Sequence, residues 1–316
     1  MSKVDRETTA KGGSTRTVVV AVLANFAIAL AKGAAAAVTG SAALWAETLH
    51  SFADMGNQLL LFVGLRRSAR PPDATHPYGY GQERFFWSFL AALGIFLIGG
   101  LLSIGEGVRS LLRPEPLESP WIGIGVLVVA AGFEAYSWLT AHRQLRTEAS
   151  RTGRTLAEHV RRTSDPSAPT VYLEDSAALL GLALALVALV LHMLTGWHGW
   201  DAYASIAIGV LLIGVAWLLA RRAKALLIDQ SAPPDVVEPL RAMVEDQSWV
   251  RKVHRFDAVY VGPSRVLLTT WLDPAAELRA GPAGDLIARI EDLRDRLMAQ
   301  PHLERVVITI VEPRDP

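Results

Sequence analysis

The sequence predicts an α-helical membrane protein with six transmembrane helices, followed by a small α+β domain on the cytoplasmic side. Three observations carry this: apolar stretches recurring before about residue 225, basic residues confined to alternate connections, and a change of composition after Asp229. Hydrophobic residues make up 51% of the 316 and charged residues 20%, with a mean hydropathy of +0.28. Disordered and fibrous classes are excluded.

Residues 1–16 are polar and lack the apolar core of a signal peptide, so they read as a retained N-terminal tail. Apolar stretches follow at 17–38, 41–65, 85–112, 120–141, 170–194 and 200–220, each near the roughly 20 residues of helix that cross a bilayer. They define a membrane domain over 17–229. Lys3, Arg6, Lys11 and Arg16, then Arg66, Arg67 and Arg70, then Arg143, Arg146, Arg151, Arg154, Arg161 and Arg162, and finally Arg221, Arg222 and Lys224 fall on one side. The intervening connections are short and nearly free of basic residues, which places both termini in the cytoplasm. The membrane would be the cell (inner) membrane in a bacterium.

Ser231-Ala232-Pro233-Pro234 breaks the pattern, and 230–316 reads as a cytoplasmic domain. A helix is expected over 236–246. Strands are expected over 253–261 and 265–272 around the Gly262-Pro263-Ser264 turn. Leu286, Ile290, Leu293 and Leu297 mark an amphipathic helix over 283–299, and 305–311 closes as a strand. This αββαβ order suits helices packed on one face of a small sheet.

Lysine plus arginine and aspartate plus glutamate both number 31, and cysteine is absent. No positive field exists to hold nucleic acid, and thiolate metal sites and disulfides are excluded. Any metal must be held by His, Asp, Glu, Asn or water. There is no phosphate-binding Gly-Lys loop and no HExxH motif.

Ionisable side chains at membrane depth are costly and mark candidate sites. On the second span Glu47, His50, Asp54 and Asn57 fall within about 80° of one another, and His50 and Asp54 are spaced to grip one ion, with Glu47 and Asn57 as accessory polar groups. On the fifth span Glu174 and Asp175 point about 100° apart: one faces the site, with Asp175 favoured and Glu174 the alternative, unless both merely cap the helix start. A site of His50, Asp54 and one or both of these acids offers one nitrogen and several oxygens, which suits a first-row divalent metal. Asn25, Lys32, Glu106, Arg109 and Glu134 read as structural, Lys32 pairing with an acid and Glu106 with Arg109. In the loop 71–84, Asp73 and His76 could form a second metal site or brace a turn. His254 and His302 read as structural or solvent-facing.

Thr39-Gly40-Ser41, the run from Glu47 to Gln58, His76-Pro77-Tyr78-Gly79-Tyr80, Glu83-Arg84 and Leu173-Glu174-Asp175-Ser176-Ala177-Ala178 resemble the cation diffusion facilitator family over nearly the whole chain, in its zinc-transporter branch without a histidine-rich loop. The resemblance implies a homodimeric, proton-coupled exporter with a ferredoxin-like αββαβ cytoplasmic domain. His50 and Asp54 match its second-span motif. The fifth span departs from it, since Val171 and Thr170 stand four residues before Asp175 and Glu174. Asp73 and His76 match two ligand positions of a bacterial member, but Tyr80 replaces a third. A family contact below the spans implies an interlock between Asp229 and Arg84, because Gln82 occupies the basic position.

The resulting expectation is a secondary antiporter, not an enzyme, carrying zinc first, or manganese, iron or cobalt, out of the cytoplasm against protons, without an organic cofactor. A membrane-embedded metal hydrolase and a non-transporting metal sensor or scaffold are the alternatives.

Overall fold

The computed structural model describes residues 25–114 and 116–311. The basic tail residues Lys3 to Arg16 and the start of the first span lie outside the described residues. Helices run over Asn25–Thr39 (α1), Ala42–Ser68 (α2), Glu83–Leu112 (α3), Pro120–Arg151 (α4), Leu156–Arg162 (α5), Ser167–Thr195 (α6) and Gly199–Leu227 (α7). Among the described residues, α3, α4, α6 and α7 are long and apolar enough to cross a membrane. Helix α2 is 27 residues long, its apolar run broken by Glu47, His50 and Asp54.

The chain divides into two compact units, the first comprising residues up to Val63, Trp87–Val160 and Ser167–Arg221. Its core is built from small side chains, with Ala36, Ala43, Ala46 and Ala185 fully buried among Leu44, Leu127 and Leu189. Large apolar residues such as Leu59, Val128, Val129 and Trp217 face outward, as lipid-facing residues do. Helices α3 and α7 approach most closely at glycine: a side chain on Gly209 would come within 2.7 Å of the Gly100 carbonyl. Glycine permits this backbone contact, and around it Ile95–Leu101 of α3 is wound as a π-helix.

The start of α2 is fixed by α7. Asp201, 2% exposed, accepts from the Ser41 hydroxyl and the Ala42 amide at 2.5 Å each and from the Ala43 amide at 3.4 Å. A carboxylate there satisfies amides that have no partner within the helix. Asp201→Ala is expected to cost about 2 kcal/mol, read as a lowered unfolding temperature in detergent, with Asp201→Asn losing less.

The second unit comprises Gly64–Phe86, Arg161–Pro166 and Arg222 onward. Helix α8 (Pro234–Glu245), strands β1 (Val250–Gly262) and β2 (Arg265–Pro274), short α9 (Ala276–Ala280), α10 (Ala283–Met298) and β3 (Leu303–Ile310) follow in order. The sheet order is β1-β2-β3, antiparallel between β1 and β2 and parallel between β2 and β3. The parallel pair needs a crossover, which α9 and α10 supply. Alternate residues Val266, Leu268 and Leu272 of central β2 are fully buried with Leu293 and Leu297 of α10. Ser264 takes a left-handed φ of 55° in the two-residue link between the paired Gly262 and Arg265. His254 and His302 are exposed.

Helical structure extends beyond the apolar stretches. The fourth apolar stretch ends near 141, but α4 continues to Arg151, because His142–Arg151 is rich in helix formers and includes a Gln144–Glu148 bond of 3.0 Å at i, i+4. The basic connection after it contains α5.

Candidate functional site

Within the first unit α2, α4 and α6 enclose a cavity of about 40 Å³ lined by Ser51, Asp54, Glu134, Ser137, Glu174 and Asp175, among others. Asp54 comes from the middle of α2. One turn earlier on the same face, His50 is 1% exposed and its Nε2 lies 3.5 Å from Asp54 Oδ2. Among the described residues, neither ring nitrogen of His50 has a hydrogen-bond partner, and Asp54 Oδ1 and Asp175 Oδ2 are also buried without one. Unsatisfied buried polar atoms are costly, and Asp54 and Asp175 both line this one small space, with His50 beside Asp54.

Glu174 and Asp175 both line the cavity. The cavity is wedged between α2 and α4, so two positions about 100° apart on α6 both reach it. Glu174 turns to α2, where the Asn57 amide donates to both its oxygens at 2.5 Å. Asp175 turns to α4 and bonds the Ser137 hydroxyl. Neither acid lies in the first turn of α6, so the capping alternative fails.

Glu47 is not at the cavity. Its Oε2 lies 3.1 Å from Lys32 Nζ, both side chains being fully buried, and Lys32 also donates to Ser51 at 2.9 Å. The expected pairing of Lys32 with an acid is thus observed, as is that of Glu106 with Arg109 at 3.4 Å. Glu134, read from sequence as structural, lines the cavity instead. Its sequence signal is that Glu134 and Ser137 are three residues apart and share a face in the apolar stretch of α4 before residue 140.

A wider space of about 580 Å³ adjoins this cavity, sharing Asn25, Gln58, Phe133, Ser137 and Val171 and extending past Thr140 and Gln144 to Ser167. It runs along α4 from Phe133 to Gln144 and reaches Ser167 at the start of α6. Among the described residues, no three of His, Asp and Glu stand close enough to hold an ion as they are.

In the second unit, Asp73 is occupied by its own turn. Its Oδ1 accepts from the Thr75 amide and hydroxyl and from the His76 amide, at 2.7–2.9 Å, and its Oδ2 from Tyr80 at 2.7 Å. The Tyr80 bond first, then those from Thr75 and His76, hold this carboxyl below the usual range. His76 Nδ1 meets Thr75 Oγ1 at 2.9 Å, so the pair braces a turn in this arrangement. The expected interlock of Asp229 with Arg84 concerns the dimer, and within one chain both groups have other partners. Arg84 Nη2 bonds both oxygens of Asp165 at 2.9 and 3.1 Å, while Asp229 receives Gln82 at 3.3 Å. The guanidinium takes the acid that offers both oxygens.

The cation efflux transmembrane domain matches residues 18–228. The chain belongs to this family, the cation diffusion facilitators. It is 35% identical over 83% of its length to the mitochondrial proton-coupled zinc antiporter SLC30A9 of Xenopus laevis, covering 47% of that protein. The human protein of the same name is 33% identical over 83% of the chain and 46% of its own length. Metal tolerance protein C4 of Arabidopsis thaliana is 34% identical over 79% of the chain and 55% of its own length. The chain therefore spans about half the length of the curated relatives it matches. Family membership and the long apolar helices make it a multi-pass membrane protein.

Proposed function

We propose that this chain is a proton-coupled antiporter that exports a divalent transition metal, zinc first, from the cytoplasm. The observation that carries the reading is the meeting of Asp54, Glu174 and Asp175 at one buried cavity, with unpartnered His50 behind Asp54. The names of relatives as zinc antiporters support it. Helices α1 and α2 join the four apolar helices as spans, giving a six-span domain over 17–229, a tail over 1–16 and a ferredoxin-like domain over 230–316. With both termini cytoplasmic, the 580 Å³ space is the cytoplasmic approach, and two copies form a dimer.

Ligands must shed protons before they hold metal. Metal entering from the cytoplasm displaces protons, and protons arriving from the other side displace metal, which makes the exchange an antiport. The driving free energy is about 1.4 kcal/mol per proton per pH unit. In proteoliposomes with a pH-sensitive dye, zinc flux should move protons the opposite way and accelerate when the receiving side is acidified. Flux that ignores the gradient and moves no protons would remove the mechanism.

His50 is the one imidazole beside these carboxylates. His50→Asp makes the ligands all oxygen, so manganese transport should gain about tenfold relative to zinc. An unchanged ratio in paired uptake assays would count against His50 as a ligand.

A further inference from the structure

We propose that Glu134 contacts the transported cation, making α4 a third ligand-bearing helix beside α2 and α6. The inference rests on the transport reading for its meaning but not for its test. Glu134 shares the lining of the 40 Å³ cavity with Asp54, Glu174 and Asp175. An acidic cluster alone would show little. Here His50, 1% exposed and unpartnered at both nitrogens, stands behind Asp54 and supplies the nitrogen donor that a purely repulsive cluster lacks.

Two of the other carboxylates of the cavity have hydrogen-bonded companions, Glu174 in Asn57 and Asp175 in Ser137, and Asp54 lies at ion-pair distance, 3.5 Å, from His50. Among the described residues Glu134 has no hydrogen bond or ion pair. Lys32, the nearby buried cation, is committed to Glu47 and Ser51. A carboxylate inside an apolar helix without a partner is costly, and a divalent cation in the cavity relieves that cost. Position supports the same reading. Ser137, one turn along the same face, already bonds Asp175, so this face of α4 is turned to the acids of α6. A carboxylate from α4 also tilts the ligand set toward oxygen, which widens selectivity from zinc toward manganese.

Because the chain contains no cysteine, Glu134→Cys introduces a sole thiol. In the purified full-length protein, zinc at saturating concentration should slow alkylation of that thiol by a small maleimide at least about tenfold, since a metal-bound thiolate cannot attack. An unchanged rate, with zinc binding confirmed by calorimetry, overturns the assignment. Glu134→Gln should weaken zinc binding by about tenfold or more, whereas Glu134→Asp keeps the charge and should retain most of the affinity. If Gln fails to fold, the Asp and Cys variants still decide. Equal affinity in wild type and Glu134→Gln overturns the proposal. A wild type that binds zinc but moves none defeats the export reading alone, and calorimetry still judges Glu134.

Discussion

Asp54→Asn is expected to reduce zinc flux by more than about a hundredfold, since even the outer partners of metal ligands are worth 10–100-fold in affinity. Asp54 sits mid-helix, reaches the cavity, and keeps one buried oxygen without a partner. Asparagine preserves its shape and can still meet His50, which lies 3.5 Å away, so the fold should survive and the loss should be one of charge. Asp54→Ala should fail equally. Elution position and unfolding temperature in detergent check folding, and proteoliposome uptake checks transport. Normal uptake by either variant would remove Asp54 from the site.

The parts of the site that were legible are those whose spacing repeats the period of a helix. His50 and Asp54, four apart, announce one face, and the apolar run that follows Glu174 and Asp175 makes them conspicuous. The sequence could not say that a wedge-shaped cavity admits two neighbouring acids from α6, because that depends on which helices flank it. Glu134 is inconspicuous in the sequence because it stands without a second ionisable group one turn away. Its importance comes from packing against α6, which is a long-range fact. Asp201 is inconspicuous for a similar reason: an acid at the start of a span reads as interfacial, and its caps on Ser41, Ala42 and Ala43 are about 160 positions distant in sequence. In the second unit β1, β2, α10 and β3 were visible from alternation and period. The choice of Asp165 by Arg84 was not, because Asp229 was equally acidic and only the folded loop shows which carboxylate is in reach.

Lys32→Met is expected to lower stability by about 3–5 kcal/mol, the cost of leaving one member of a buried ion pair without the other. Lys32 and Glu47 are both fully buried at 3.1 Å, and the second oxygen of Glu47 is already without a partner. That oxygen lies against Gly181 of α6, where an added methyl would collide with it, so the carboxylate has no room to turn toward water. Glu47→Met should be comparably damaging, because it strands an ammonium in the same apolar packing. The double variant Lys32→Met, Glu47→Met removes both charges together and should recover most of the loss, as apolar replacements of buried pairs commonly do. Unfolding temperatures of the four proteins in one detergent give the cycle, and the coupling should exceed about 1 kcal/mol. Additive losses would mean that the two charges do not support one another. Zinc uptake by the recovered double variant then separates two roles. Restored uptake assigns the pair to holding α1 against α2, whereas a stable protein that binds zinc without moving it assigns the pair to the transport cycle.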